Sequence, residues 1–158
     1  MILDDTLLGK YDTLFLDRDG VVNVWLPGDY VKTWAEFRFN EGFLDFIGRY
    51  SASFRHIFIV TNQRGVGKGL MAMDQLEDIH SRMLQAINGA GGRIDGIYVC
   101  TSVEDSDPMR KPNTGMARQA MRDYPDISME RSLMIGDQPS DEQFARNCGM
   151  GFLLWSRD

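Results

Sequence analysis

The chain has 158 residues, of which 43% are hydrophobic and 25% charged. These globular values exclude collagen-like, disordered and coiled-coil classes. Acidic residues outnumber basic ones 23 to 17, for a net charge of −6, so a nucleic acid is not expected as a partner.

Cys100 and Cys148 are the two cysteines. They make no disulfide framework and suit a reducing compartment. The start of the chain lacks the basic end and long apolar core of a signal peptide. No apolar run approaches the ~20 residues that span a bilayer. A cytoplasmic protein without a membrane partner is expected.

Five short apolar runs predict strands, at residues 13–17, 56–61, 97–101, 133–137 and 151–155. Leu14-Phe15-Leu16, Ile57-Phe58-Ile59-Val60 and Leu133-Met134-Ile135 are apolar at successive positions, as in strands buried on both faces. After the first run, residues 20–40 form a segment long for a plain connection. Then Phe43, Phe46, Ile47, Tyr50 and Phe54 repeat at helical spacing. Residues 65–69, Gly-Val-Gly-Lys-Gly, follow the second strand. Lys68 precedes Gly rather than Ser or Thr, which excludes a P-loop; a flexible rim loop is expected. Leu76, Ile79, His80, Met83 and Ile87 form the next helical stripe. Beyond the third strand, residues 101–110 resist assignment. Ala117, Ala120, Met121 and Tyr124 follow, between Pro112 and Pro125. Phe144, Ala145 and Cys148 form the last stripe, with Ser140 and Gln143 as its expected capping box and Gly149 as its stop. Alternating strands and helices predict a doubly wound α/β domain with a five-stranded parallel sheet. The whole chain, residues 1–158, is expected to form this one domain.

In such sheets ligands bind beyond the carboxyl ends of the strands. There the first run ends in Asp17-Arg18-Asp19-Gly20, the second in Thr61-Asn62, and the fourth in Gly136-Asp137 with Asp141 four residues on. Lys111 lies between the third and fourth runs. Singly, each has an ordinary explanation: a turn residue, a strand former, a solvated lysine, a first-turn acid. Together they converge on one edge. Clustered carboxylates stay ionised together beside a cation, and oxygen-only ligands favour magnesium. A phosphoryl group beside magnesium suits Lys111 and Thr61. One carboxylate can then attack phosphorus while another moves the proton.

Asp17-Arg18-Asp19-Gly20, Thr61-Asn62, Lys111-Pro112 and Gly136-Asp137-x-x-x-Asp141 resemble the four motifs of the haloacid dehalogenase superfamily of phosphatases. Phe15 through Asn23, Thr61-Asn62-Gln63-x-Gly65-x-x-x-Gly69, Arg110-Lys111-Pro112-x-x-Gly115-Met116 and residues 30–39 are similar to its heptose-bisphosphate and histidinol-phosphate phosphatases. The resemblance implies a magnesium-dependent monomer without a large cap domain. It implies Asp17 as nucleophile and Asp19 as acid and base, with Thr61 and Lys111 on the phosphoryl oxygens. Magnesium would sit on Asp17, Asp137 and the Asp19 carbonyl, supported by Gly136 and Asp141. The substrate would be a small phosphorylated metabolite, D-glycero-D-manno-heptose 1,7-bisphosphate first and histidinol phosphate second.

The subfamily's zinc loop is reduced here to Cys100; positions 107 and 109 are Asp107 and Met109. One thiolate cannot make a tetrahedral site, so no zinc is expected. Asn62, Arg64 and Arg110 are candidate substrate contacts, Arg64 and Arg110 for a second anionic group; Lys68 is a further cation near the site. Trp25, Tyr30 and Trp34 either flank a sugar ring or pack the loop. His56 and His80 have no assigned role. A different class remains open at this point: a receiver-like phosphoacceptor domain, whose accepting Asp would follow the third strand.

Overall fold

The computed structural model describes residues 1–156; residues 157 and 158 lie outside the described residues. Five strands form one sheet: β1 (Thr13–Leu16), β2 (His56–Asn62), β3 (Gly96–Cys100), β4 (Ser132–Gly136) and β5 (Gly151–Leu154). All neighbours are parallel, in the order β3-β2-β1-β4-β5. A receiver has the order 2-1-3-4-5. The observed order therefore removes the receiver reading.

Among the described residues there are six α-helices: α1 (Asp5–Lys10) precedes β1, and α2 (Phe43–Tyr50), α3 (Arg64–Gly67), α4 (Met73–Gly89), α5 (Gly115–Asp123) and α6 (Pro139–Cys148) lie between strands. They cover both faces of the sheet, which is why the strands read as unbroken apolar runs. Leu14, Leu16, Ile57, Ile59, Leu133 and Ile135 join one core with Phe43, Ile47, Leu76 and Ile79 of α2 and α4. Phe15, Phe58, Val60 and Met134 point the other way, onto Met116 and Ala120 of α5 and Phe144 of α6. Alternate residues of one strand thus feed two cores. None of the helices among the described residues is long and apolar enough to cross a membrane.

The structure departs from the expected elements in four places. First, α2 ends at Tyr50, and a 3-10 turn, Ser51–Ser53, carries Phe54 into the core. The Ser51 hydroxyl donates to the Ile47 carbonyl at 2.6 Å. A side-chain donor thus occupies a carbonyl at the helix end. Second, α6 starts one residue before Ser140, because Pro139 suits the first helical position. Asp141, not the Ser140–Gln143 pair, caps it: its Oδ2 accepts from the backbone N of Asp137 at 3.1 Å and of Gln138 at 3.2 Å. Gln143 turns away and donates to Asn147. Third, the glycine-rich segment forms the single helical turn α3 rather than an open loop. Fourth, the short α1 had no apolar stripe to announce it; the Asp4 carboxylate caps it by accepting from Leu7 N at 2.9 Å.

The long segment after β1 folds back over the sheet edge. Asn23 bridges to both Asp19 and Phe39, and the Asn40 side chain donates to the carbonyls of Val21 and Asn23. Trp34 stacks on Phe37 with centroids 5.0 Å apart, so it packs the loop.

Candidate active site

β1 and β4 are neighbours at the point where the strand order reverses, the place where open α/β sheets hold ligands. Asp17 continues the β1–β4 ladder, its N donating to Ile135 O at 3.1 Å. Asp137 directly follows β4. The two carboxylates therefore emerge side by side.

Two glycines make room for them. Gly20 has φ +99, and a Cβ there would collide with the Asp137 carboxylate. A Cβ on Gly136 would collide with Asp141. Only glycine fits such positions.

Lys111 is buried between the acids. Its Nζ donates to Asp17 Oδ1 and to Asp141 Oδ1, each at 2.8 Å. Burial alone would lower the ammonium's pKa, but Asp17 and Asp141 outweigh it and hold the pKa well up. Burial pushes the Asp17 carboxyl well above its ordinary value; Lys111 opposes this and Asp141 adds to it. Burial also raises Asp137. Asp19 goes the other way. Burial there is outweighed by the Arg18 charge and by hydrogen bonds from Asn23, Arg18 and Gln63, which hold the carboxyl below its ordinary value.

A cavity of about 250 Å³ opens over these groups. Five carboxylates line it, those of Asp17, Asp19, Asp29, Asp137 and Asp141, against the single ammonium of Lys111. Such a surface repels a phosphate unless a cation joins it.

The donors present fit a hard divalent cation. Carboxylate oxygens of Asp17, Asp137 and Asp141 lie within 4.8 Å of one another. Asp137 Oδ1 is buried without a hydrogen-bond partner. Both Asp141 oxygens are engaged, one by Lys111 and one by two backbone amides. That leaves Asp17 and Asp137 as the side-chain donors, a set magnesium accepts.

The HAD-hydrolase-like family matches residues 108–157. A D-glycero-alpha-D-manno-heptose-1,7-bisphosphate 7-phosphatase of Mycobacterium bovis is 37% identical over 135 residues, covering 85% of this chain and 71% of that protein. The beta-heptose enzyme of Rhodopseudomonas palustris is 34% identical, over 91% of this chain and 83% of its own. The D,D-heptose 1,7-bisphosphate phosphatase of B. bronchiseptica, solved with magnesium and phosphate, superposes with a TM-score of 0.81 at 34% identity, over 91% of this chain and 79% of that one. The chain belongs to the haloacid dehalogenase phosphatases.

Within this phosphatase, Asp17, Asp19, Asn62, Lys111, Asp137 and Asp141 all line one cavity. Thr61 does not line it: it is 1% exposed, and its hydroxyl accepts from Gln63 Nε2 at 2.9 Å. Asn62 serves Lys111 with both ends of its amide. Its Oδ1 accepts from Lys111 N at 3.0 Å and its Nδ2 donates to Lys111 O at 3.1 Å. This pair fixes the backbone from which the lysine projects.

Arg64 and Arg110 lie outside the cavity lining. Both guanidiniums reach Asp105 Oδ1, at 2.8 and 3.3 Å. The acid that meets both lies on the loop after β3, while Arg64 Nε and Arg110 Nη1 keep no partner. The same loop is held by Asn113 Nδ2, which donates to the carbonyls of Asp105 and Asp107. The Lys68 ammonium lies 5.4 Å from the Tyr30 ring centre. A Cβ on Gly65 would touch that ring at 2.9 Å, so the glycine lets Tyr30 close one wall. Trp25 and Tyr30 line the cavity.

Sequence reasoning missed Gln63, Asn23 and Arg18 as partners of Asp19. Gln63 Nε2 donates to Asp19 Oδ2 at 2.8 Å, and Asn23 Nδ2 to Oδ1 at 2.8 Å. Gln63 stood within a quoted motif, beside Thr61-Asn62. His80 is also engaged, against Arg18 at 3.1 Å, whereas its position in a helical stripe marked it only as core.

Proposed function

We propose that this phosphatase hydrolyses a phosphomonoester of a small sugar through a covalent intermediate on Asp17, with magnesium as cofactor. One observation carries the reading: the Lys111 ammonium bridges Asp17 and Asp141 beside the unpartnered Asp137 Oδ1. A carboxylate with a fixed cation on one oxygen is oriented to attack along the other.

Asp17 attacks phosphorus, and the P–O bond to the sugar breaks. The departing oxygen takes a proton from Asp19. Asp19 then takes a proton from water as that water attacks the aspartyl-phosphate, releasing phosphate and regenerating Asp17. Lys111 neutralises phosphoryl charge; Thr61, buried beneath the cavity, holds the Gln63 amide instead of a phosphoryl oxygen. Asp17, Asp137 and the Asp19 carbonyl would hold magnesium, which would supply further charge neutralisation when bound. Uncatalysed monoester hydrolysis is so slow that accelerations can approach ~10²¹. General acid–base help contributes only about 10²–10⁴. Positioning and charge neutralisation must carry most of the rest.

The substrate we favour is D-glycero-D-manno-heptose 1,7-bisphosphate. The similarity to heptose bisphosphate phosphatases supports it, as do the aromatic walls Trp25 and Tyr30, which suit a sugar ring. The two free thiols suit the cytoplasm. The test is kcat/KM across a panel containing this heptose bisphosphate, other sugar phosphates and histidinol phosphate. The heptose bisphosphate is expected to lead, EDTA to abolish release, and added magnesium to restore it. A higher value for histidinol phosphate would overturn the substrate assignment.

A further inference from the structure

Arg18 lies between two acids at the site, yet its side chain faces away from the cavity. It is fully buried, 0% exposed. Its guanidinium stands 5.7 Å from the Phe37 ring centre. Only two acceptors meet it among the described side chains: Asp19 Oδ1 on Nη2 at 2.8 Å and His80 Nε2 on Nη1 at 3.1 Å. Its Nε is buried without a partner. A buried, incompletely satisfied charge is a poor stabiliser, since its desolvation can exceed the Coulombic gain. An apolar side chain would fill this space with fewer demands.

The arrangement has a consequence for Asp19. Arginine only donates, so His80 Nε2 must accept, and the imidazole is neutral with its proton on Nδ1. His80 sits on the long helix α4 among the core residues Leu76, Ile79 and Met83. It is therefore a fixed anchor for Nη1. With Nη1 anchored, Nη2 is aimed at Asp19 Oδ1. Asn23 donates to that same oxygen. Two donors on Oδ1 leave it no room for a proton. Oδ2 has one donor, the amide of Gln63, which it shares with Thr61 Oγ1.

We propose that Arg18 and His80 are positioning residues that fix Oδ1 of Asp19, so that Oδ2 is the oxygen that gives and takes the proton. The inference rests on the phosphatase reading and assigns that reaction's proton transfer to one atom. α4, which contributes no lining residue to the cavity, thereby reaches the chemistry through one histidine.

Leaving-group dependence tests it. An alkyl alcohol must be protonated as it leaves, whereas a nitrophenolate leaves unprotonated. In kcat/KM, which reports the steps up to transfer onto Asp17, the acid therefore matters for a sugar phosphate and hardly for p-nitrophenyl phosphate. His80→Leu and Arg18→Met are expected to lower kcat/KM for the sugar phosphate by about tenfold or more. For p-nitrophenyl phosphate the value should stay near wild type. His80→Gln, which offers an acceptor oxygen to Nη1, should restore most of the loss. The ratio of the two values on one preparation is independent of the fraction folded. Equal loss on both substrates, or no loss on the sugar phosphate, would overturn the positioning role. A wild-type enzyme inactive on both would instead remove the phosphatase reading itself.

Discussion

Asp17→Asn is expected to abolish phosphate release, while Asp19→Asn leaves a measurable remainder. The asymmetry follows from the two roles proposed for these acids. Asp17 is held at the end of β1 with Oδ1 accepting from Lys111 Nζ at 2.8 Å and from Arg18 N at 2.9 Å. An amide there has almost the same shape, but its nitrogen is no nucleophile and cannot serve as a cation ligand. Both the covalent path and one metal donor disappear together. In the proposed reaction Asp19 moves a proton, which is worth about 10²–10⁴ in rate. Its loss leaves positioning and charge neutralisation in place. Steady-state phosphate release by the two purified variants checks the pair, with urea unfolding to show that each is folded. Full activity of Asp17→Asn would end the assignment of the nucleophile.

The second large effect is on stability. Lys111→Met removes the one ammonium from a wall of five carboxylates. Asp141 is 1% exposed and Asp17 is 8% exposed, so neither can turn to water. Breaking one side of such a buried pair costs about 3–5 kcal/mol. The cost depends on pH, and the sign is set by the direction of the Asp17 shift. Burial already raises this carboxyl above its ordinary value. Without Lys111 it rises further, so the folded variant binds protons that the unfolded chain, with Asp near 3.9, has lost. Stability of the variant then falls as pH rises from about 4 toward neutrality. Urea unfolding in EDTA is expected to show the largest deficit near pH 7 and a much smaller one near pH 4. A deficit independent of pH would mean that the lysine acts by packing alone.

Much of the architecture is legible in the amino-acid pattern because burial on both faces leaves an unmistakable mark. Leu14-Phe15-Leu16 and Ile57-Phe58-Ile59-Val60 read as strands since consecutive side chains enter different cores. The acids are legible for a related reason. A parallel sheet gathers the carboxyl ends of its strands, so residues 17, 137 and 111 meet despite long separations in the chain. What stays hidden are side-chain pairings across loops. Arg64 and Arg110 look like anion receptors from their neighbours in sequence. Asp105, 41 residues from Arg64, takes up both of them. His80 fits its helical stripe perfectly as an apolar-face residue, and only the fold shows that Arg18 ends against it. Pattern reveals which face a residue occupies but not which polar atom it meets there. The cap of α6 shows the same limit: Ser140 has the right chemistry, but Pro139 starts the helix before it, and Asp141 takes the amides.

Counting inorganic phosphate released per mole of protein from heptose 1,7-bisphosphate, with magnesium and after chelation, tests the account most directly. Many phosphates per protein are expected with magnesium and essentially none without it. One phosphate transferred and retained per chain, or undiminished release in EDTA, would contradict the acid cluster's assignment as a cation-dependent hydrolytic centre.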